Sequence, residues 1–303
     1  MLLERLLPWL GSFRDEIVLV TGASSGIGRE TALSFARQGA RVALAARRRE
    51  QLREVAKAIE EAGGEALVVP TDVSDPRSVR ACVSAVRRKW DQIDILVNNA
   101  GILIPSTVAK LKTNDFEAMF RVNVVGSLLM MQAVVPVMQR QQGGAIINVA
   151  SLAGRRGLTP LGGYCATKFA LVGLTEALRT ELDGSNIHAG LVLPGVVDTP
   201  MAHNVEDAVP SWPSRFNMPP EWVAAAVILA ARFRLREVSV PPGSATLEII
   251  ASLAPGVADA LIGWASVAGR LISGDGTGSG KAAVGAGRRR RTRKQTEGGR
   301  RKA

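Results

Sequence analysis

Six short apolar runs, rich in β-branched residues, recur along the chain and constrain its fold more than any other feature. They read IVLVTG, RVALAA, ALVVPTDV, DILVNNAG, GAIINVAS and HAGLVLPG, and a seventh candidate, EVSVPP, follows. Stretches with helical patterns, roughly 15 to 30 residues long, separate most of these runs. Strands that are apolar throughout and joined by helices form a parallel sheet covered on both faces. The pattern therefore predicts one doubly wound α/β domain.

The segments around this domain differ from it in composition. We predict the α/β domain over residues 15–243 and, before it, an amphipathic helix over residues 1–14, whose leucines share one face. This helix packs either on the protein's own core or on a membrane surface. Residues 244–272 form an apolar helical extension. Because two acidic residues and a proline interrupt it, a helix pair on a membrane surface or on the core is favoured over a membrane span.

Most of the positive charge lies at the carboxyl end. The formal net charge is +11, and residues 273–303 account for +8 of it. This tail is rich in glycine and has no aromatic residue, so it cannot bury enough apolar surface to fold, and we predict that it is disordered. It either contacts anionic lipid or nucleic acid by charge alone or serves only solubility. Since the remaining chain is only mildly basic, we do not expect a dedicated nucleic-acid-binding protein.

Cysteine and histidine are too few for a metal site. Cys82 and Cys165 follow no metal-ligand spacing, and His188 and His203 are the only histidines, so no metal is expected. Unpaired thiols are typical of a reducing compartment, and no cleavable signal peptide is evident. We therefore expect a cytoplasmic protein.

The first apolar run leads into TGASSGIG, at residues 21–28, and a helix that we expect to begin near Arg29. Glycines in such a loop let a pyrophosphate approach the backbone, and the helix N-terminus supplies free N–H groups and a positive dipole end. A glycine loop alone is weak evidence, but its place after the first strand predicts a dinucleotide site in a Rossmann fold. The candidate contacts are Gly22, Ser24, Ser25, Gly26, Ile27 and Gly28.

The end of the second run indicates which dinucleotide binds. An acidic side chain at this place usually recognises the ribose hydroxyls of a cofactor without a 2′-phosphate. Here Ala46 is followed by Arg47 and Arg48, whose guanidinium groups would hold a 2′-phosphate. The sequence therefore predicts NADP(H) in preference to NAD(H).

Further motifs, in order along residues 15–243, resemble those of the classical short-chain dehydrogenase/reductase family. TDV is similar to the family's adenine-contacting segment, with Asp72 and Val73, and NNAG to its central-strand motif, with Asn99, Ala100 and Gly101. The segment that contacts the nicotinamide is represented by Pro194, Gly195, Val197 and Thr199. The family's catalytic tetrad is matched by Asn123, Ser151, Tyr164 and Lys168. The resemblance implies an oxidoreductase that interconverts a carbonyl and an alcohol.

Tyr164 is the only tyrosine in the chain, and Lys168 lies four residues after it. Residues at this spacing lie on one helix face, so both can point into one cleft. A free phenol has a pKa of about 10, and we expect the nearby ammonium to lower it toward neutral pH. Tyr164 would then protonate the carbonyl oxygen in reduction and accept the proton in oxidation. The resemblance implies that Lys168 also holds the nicotinamide ribose.

Ser151 and Asn123 complete the tetrad. Ser151 follows a strand end and supplies a hydroxyl donor for the developing oxyanion. The resemblance implies that Asn123 bends its helix and that its backbone holds a water linking Lys168 to solvent. Cys165, beside the tyrosine, is expected to be a small core residue.

The carboxyl-terminal part departs from the family. The glycine-rich ending that helps many members form a tetramer is missing, so we expect a homo-oligomer that is a dimer. The extension resembles that of membrane-associated members acting on lipophilic substrates, and with the leucine helix and basic tail it favours peripheral membrane contact. A helix pair that covers the substrate cleft or a dimer interface would have the same composition.

Residues 201–220 occupy the place of the family's variable substrate lid. Trp212, Phe216 and Met218 make this segment apolar, which favours a hydrophobic alcohol or ketone as the small-molecule substrate. The predicted function is NADP(H)-dependent interconversion of such a carbonyl and its alcohol. Two alternatives stay open: a 3-oxoacyl thioester reductase of lipid metabolism, and a non-catalytic NADP(H)-binding sensor, which would be expected to have lost Tyr164 or Lys168.

Overall fold

The computed structural model describes residues 12–208, 217–244 and 256, and their strands form one seven-stranded parallel sheet. The strands are β1 Ile17–Thr21, β2 Arg41–Ala46, β3 Glu65–Pro70, β4 Ile95–Asn98, β5 Gly144–Val149, β6 Ile187–Pro194 and β7 Glu237–Val240. Their order across the sheet is β3-β2-β1-β4-β5-β6-β7, with every pair parallel. The predicted doubly wound architecture is confirmed.

Helices connect these strands. They are α1 Gly26–Arg37, α2 Arg49–Glu61, α3 Pro76–Trp90, α4 Thr113–Phe120, α5 Gly126–Arg140, α6 Gly162–Glu181, α7 Pro200–Ala208 and α8 Pro220–Arg232. A π-helical turn, Arg121–Val125, joins α4 to α5, and short 3₁₀ turns lie at Val108–Lys110 and Leu152–Gly154. Local sequence explains the start of α3, where Pro76 takes the first position and the Asp75 carboxylate accepts two backbone N–H groups.

Two apolar layers cover the sheet. Helices α1, α2 and α8 pack on one face through fully buried side chains that include Phe35, Leu52 and Val227, and α3 and α5 pack on the other through Val83 and Met130. All residues of β1, β4 and β6 are buried, whereas the edge strands β3 and β7 are partly exposed. This burial explains why the central strands are apolar throughout.

The stretch Thr113–Arg140 has the length and composition of a membrane-crossing helix, with a mean hydropathy of 1.6 in its most apolar window. It comprises α4, the π-helical turn and α5, and 44% of that window is buried inside the protein. Met130, Val134 and Met138 pack in the apolar layer against the sheet. The sheet contact therefore accounts for its composition.

The folded body begins earlier than residue 15. Phe13 is buried, its backbone N–H donates to the carbonyl of Gln38 over 2.9 Å, and its ring packs edge-on against Phe35. Residues 12–14 lie outside any helix, so the predicted helix over residues 1–14 does not include them. Residues 1–11, Trp212, Phe216, the tail and nearly all of the extension lie outside the described residues.

Candidate active site

The sequence-predicted site residues converge at the carboxyl edge of the sheet. The glycine loop follows β1, Arg47 and Arg48 follow β2, and corresponding segments follow β3, β4, β5 and β6. The chain runs outward in opposite directions from β1 and β4, which opens a crevice between the loops after these two strands. Crevices of this kind are where doubly wound folds bind nucleotides.

The glycine loop makes approaches that a larger residue would block. A Cβ on Gly28 would lie 2.3 Å from the carbonyl oxygen of Gly22, and Gly22 itself has a φ of +69°. Helix α1 begins at Gly26, three residues before the position expected from the sequence, so Gly28 lies within its first turn. No acidic residue occupies that turn, so the N–H groups and the positive dipole end remain suited to an anion. The residues present fit the pyrophosphate of a dinucleotide.

Thr21, a residue that the sequence analysis did not single out, fixes this loop to the neighbouring strand. Its buried hydroxyl accepts the backbone N–H groups of Asn99 over 3.0 Å and Ala100 over 3.1 Å and donates to the carbonyl of Val97. The Asn99 carboxamide in turn donates to the carbonyl of Thr21 over 3.0 Å. The only sequence signal was its place as the first residue of TGASSGIG.

Arg48 reaches from the end of β2 to the glycine loop. Its guanidinium donates to the hydroxyls of Ser24 over 2.9 Å and Ser25 over 2.7 Å. Three polar side chains that suit a phosphate are thus gathered at the crevice mouth. Arg47 is exposed and acts on Asp72, whose pKa is lowered chiefly by the Ser74 hydroxyl and, to a smaller extent, by the Arg47 charge.

The loop after β3 is held in a fixed shape. The Asp72 carboxylate accepts the Ser74 hydroxyl over 2.6 Å and its N–H over 2.9 Å. Val73 is buried, and its side chain lies so close to Gly126 in α5 that a Cβ there would be 2.8 Å away. Asp72 and Val73 therefore occupy defined places at the crevice edge.

Ser151, Tyr164 and Lys168 come together beside the loop that follows β6. The Ser151 hydroxyl donates to the carbonyl of Pro194 over 3.2 Å and accepts the N–H of Ala153. The Lys168 ammonium donates to the carbonyl of Val149 over 3.0 Å and lies 5.6 Å from the centre of the Tyr164 ring. These three side chains lie close together, and their action on a substrate in one cleft stays a prediction.

The expectation that Lys168 lowers the pKa of Tyr164 is not met. Burial raises the pKa of Tyr164 well above its ordinary value, and a hydrogen bond with Ser151 offsets only part of the rise. Burial also lowers the pKa of Lys168 to about 8. The cause is shared, because a dry site disfavours the charged form of both groups. At neutral pH the phenol keeps its proton.

Asn123 lies in the π-helical turn Arg121–Val125, where the helix departs from α geometry. The expected irregularity at this residue is therefore present. Its backbone carbonyl accepts the hydroxyl of Ser127 over 3.1 Å. The water proposed to link this backbone to Lys168 stays a prediction.

The Tyr164 side chain packs against an apolar cluster. Its buried members are Ala153, Leu161, Cys165 and Val205, and Leu103, Leu158 and Tyr164 pack against them. The Cys165 sulfur accepts the N–H of Leu158 over 3.3 Å, and the prediction that this cysteine is a core residue is confirmed. Of the predicted apolar lid residues, Met218 is buried and pairs with Val197.

The segment after β6 returns to the glycine loop. The Thr199 hydroxyl accepts the N–H of Ala202 in the first turn of α7, and its methyl group would lie 2.9 Å from a Cβ on Gly26. Pro194 and Gly195 precede it at the end of β6, where the Gly195 N–H donates to the carbonyl of Val240. The predicted nicotinamide segment thus lies between the glycine loop and the apolar cluster.

Comparison with known proteins identifies this combination of features. The family model described as short chain dehydrogenase matches residues 16–210. The chain is 35% identical over 222 residues to a 3-oxoacyl-acyl-carrier-protein reductase of Thermotoga maritima, covering 71% of this chain and 90% of that protein. It is 33% identical over 238 residues to a 3beta-hydroxysteroid dehydrogenase of Mediterraneibacter gnavus, covering 77% of this chain and 86% of that protein.

A solved structure agrees with these matches. The crystal structure of a variant of actinorhodin polyketide ketoreductase with NADPH superposes with a TM-score of 0.70 at 32% identity. The match covers 75% of this chain and 95% of that one. Sequence and fold therefore point to the same group of enzymes.

Proposed function

The chain belongs to the short-chain dehydrogenase family and is an oxidoreductase, and on that premise we propose that it interconverts a hydrophobic carbonyl compound and its alcohol with NADP(H). One observation carries the proposal. The Ser151 hydroxyl is hydrogen-bonded with the Tyr164 phenol, and the Lys168 ammonium lies 5.6 Å from the centre of the Tyr164 ring. A hydrogen-bond donor, a proton donor and a cation are thus available at one place.

The proposed chemistry divides between the side chains. When bound, the nicotinamide supplies hydride in reduction and accepts it in oxidation. Tyr164 holds a proton at its phenol oxygen and transfers it to the substrate oxygen in reduction, or takes it back in oxidation. Ser151 donates a hydrogen bond to the oxygen as negative charge develops there. Lys168, whose ammonium lies 5.6 Å from the centre of the Tyr164 ring, would hold the hydroxyls of the nicotinamide ribose.

Residues at the crevice would hold the cofactor. The pyrophosphate would lie on the glycine loop and the start of α1, and the adenine against Asp72 and Val73. Asn99, Ala100 and Gly101 would contact the nucleoside, and Pro194, Gly195, Val197 and Thr199 the nicotinamide end. The preference for NADP(H) rests on Arg48, whose guanidinium lies with two serine hydroxyls, and on Ala46, which stands where an acidic residue would select NAD(H).

The substrate proposal rests on the apolar cluster beside Tyr164. Leu103, Leu158 and Val205 belong to three different segments that meet there, and apolar walls with few polar groups favour a lipophilic ligand. The similarity to a 3beta-hydroxysteroid dehydrogenase supports this class. The similarity to a 3-oxoacyl-acyl-carrier-protein reductase supports a second candidate, a 3-oxoacyl thioester.

The deciding experiment follows oxidation of NADPH and of NADH with a panel of hydrophobic ketones, aldehydes, a steroid and a 3-oxoacyl thioester. We expect turnover with NADPH on a hydrophobic carbonyl, and its loss in Tyr164→Phe, which keeps the ring but removes the exchangeable proton. Binding of NADPH by the variant, followed by fluorescence, is the control for correct folding. Turnover confined to the thioester would favour the second candidate. NADPH binding without turnover across the panel would contradict the proposed substrate class and favour a sensor.

We further propose a cytoplasmic homodimer that makes peripheral membrane contact. Phe120 on α4 and Phe169 on α6 are exposed on helices that pack together, so this face suits a second copy. Light scattering in solution would have to give twice the chain mass.

The membrane contact rests on the apolar and basic character of residues 1–11 and 244–303. In flotation with anionic vesicles, the full chain should float and a chain limited to residues 12–243 should not. Failure of the full chain to float would exclude the contact.

A further inference from the structure

Thr167 lies in α6 between the two residues proposed for proton transfer, three positions after Tyr164 and directly before Lys168. Its side chain is completely buried. The hydroxyl donates to the backbone carbonyl of Tyr164 over 2.7 Å and accepts a hydrogen bond from the Asn123 carboxamide over 3.0 Å. One hydroxyl thus joins the helix of Tyr164 to the π-helical turn.

The Asn123 carboxamide has no other orientation that satisfies its partners. Its oxygen accepts the N–H of Ile102 over 2.8 Å, and its nitrogen donates to the carbonyl of Ile102 over 2.9 Å and to Thr167. Both amide hydrogens are therefore used in a wholly buried place. Three segments meet at this amide: the loop after β4, the π-helical turn and α6. The hydrogen bond to Thr167 is the one that connects α6 to this amide.

A second threonine of α6, Thr175, makes the same two kinds of hydrogen bond as Thr167 and shows how the two residues differ. Thr175 is equally buried, donates to the carbonyl of Leu171 over 2.7 Å and accepts the Asn148 carboxamide over 2.8 Å. Donation to a carbonyl one turn back is the ordinary choice of a buried threonine in a helix. The two residues differ in what they are bonded to, because Asn148 lies within the sheet and Asn123 lies at the candidate active site.

We propose that Thr167 is a positioning residue for the reaction, whose hydroxyl fixes the π-helical turn at Asn123 relative to the helix that carries Tyr164. The inference rests on the proposed function. Without the hydroxyl, one Asn123 amide hydrogen is left unpaired in a dry site, which costs free energy unless the side chain or the turn moves. Either movement changes the distance between the Asn123 backbone and the first turn of α6. Because catalytic geometry is sensitive to small displacements, the rate falls while cofactor contacts are kept.

Other groups that act on Tyr164 are not hydrogen-bonded to the Thr167 side chain. They are the Ser151 hydroxyl, the Cys165 thiol and the Lys168 ammonium. Ser151 lies after β5, and the ammonium is held by the carbonyl of Val149. A change in the Tyr164 environment on removal of the Thr167 hydroxyl would therefore report the loss of its two hydrogen bonds, to the Tyr164 carbonyl and to the Asn123 carboxamide.

The test compares Thr167→Val, which keeps the shape but removes the hydroxyl, with Thr167→Ser, which restores it. Since Tyr164 is the only tyrosine, tyrosine isotope-labelled at Cζ gives a single NMR resonance that reports directly on this phenol. In Thr167→Val we expect the resonance to shift or broaden and kcat to fall by about 100-fold, with the KM for NADPH unchanged. In Thr167→Ser both should return close to wild type. The pH profile of kcat should change in the valine variant only.

Thr175→Val is the matched control. It removes an equally buried hydroxyl that accepts from an asparagine in the same helix, so it should lower the free energy of unfolding to a similar extent. Its Tyr164 resonance and kcat should stay those of the wild type. An equal effect of Thr175→Val on Tyr164 would overturn the proposal, as would a wild-type resonance and kcat in Thr167→Val.

Two further outcomes are decisive. If Thr167→Val does not fold, Thr167→Ala replaces it; if neither folds, the hydroxyl is required for folding and the positioning role is wrong. If the wild-type protein turns over no compound of the panel, the proposed function fails, yet the resonance of Tyr164 still shows whether Thr167 controls its surroundings. Failure of the two proposals is thus distinguishable.

Discussion

Arg48 offers the sharpest test at the scale of a single residue. Replacing it with alanine removes the charged partner of Ser24 and Ser25, and we expect the Kd for NADPH to rise by about 10-fold to 100-fold, the value of one hydrogen bond to a charged group. The Kd for NADH should change little, because that cofactor has no 2′-phosphate.

Arg49→Ala is the control for Arg48→Ala, since it removes the same charge from the adjacent exposed position at the start of α2. Titrations of both nucleotides by fluorescence provide the measurement. A loss of NADPH affinity that is equal in the two variants would mean that overall charge, rather than the Arg48 site, attracts the cofactor.

Single residues also show how far sequence reasoning reaches. Tyr164, Lys168 and Ser151 could be predicted to share a cleft because their motif fixes their places after a strand and along a helix. The roles of Thr21 and Thr167 could not be predicted, because a hydroxyl's partners belong to segments far away along the chain. Whether the pKa of Tyr164 is raised or lowered depends on its burial in the folded protein. The four-residue spacing between Tyr164 and Lys168 does not reveal that burial.

Among the secondary-structure elements, α1 and α6 each contain a glycine that can be replaced with alanine. In α1 the added methyl group clashes with neighbouring atoms, whereas in α6 only the helix propensity changes. In Gly28→Ala of α1 the new Cβ meets the Gly22 carbonyl and the Asn99 amide. We expect the free energy of unfolding to fall by about 1–3 kcal/mol, as for overpacking in a core, and nucleotide binding to be lost because the loop must open.

Gly173→Ala of α6 provides the contrast. A Cβ at this exposed position would meet no atom within 4 Å, so we expect stability to rise by about 0.5–1 kcal/mol, the difference in helix propensity between the two residues. Urea denaturation measures both variants. Intact NADPH binding by Gly28→Ala would contradict the assigned role of the loop.

Elements were predictable to different degrees. The strands could be predicted because burial on both faces of the sheet requires apolar runs, and the runs are visible in the sequence. The first residue of α1 was misplaced, because a glycine in the first helical turn has no signal that distinguishes it from a loop glycine. The π-helical turn was anticipated only through the resemblance at Asn123, since its extra residue has no local sequence signature.

For the molecule as a whole, His188 predicts how stability varies with pH. Burial, and secondarily the charges of Arg234 and Arg179, lowers the pKa of His188 below its ordinary value of 6.5, although a hydrogen bond to the Leu235 carbonyl opposes this. At pH values between the folded-state pKa of His188 and 6.5, the unfolded chain binds a proton that the folded chain does not. The free energy of unfolding therefore falls as pH falls through this range.

Denaturation of the wild type and of His188→Asn at about pH 7.5 and about pH 5, on either side of the ordinary histidine pKa, checks this prediction. We expect a smaller decrease in His188→Asn, because the group that titrates differently has been removed. An unchanged decrease in His188→Asn would contradict the prediction.

The contact between Thr199 and Gly26 has a consequence for the order of events in a catalytic cycle. Thr199 begins the segment that continues into α7, and α7 supplies Val205 to the apolar cluster at Tyr164. One segment therefore lies against the glycine loop at its base and contributes a side chain to the cluster proposed to bind substrate, so a bound nucleotide would help to order the substrate site. Nucleotide should therefore enter first and depart last, and steady-state product inhibition should show oxidised and reduced nucleotide competing for the same enzyme form.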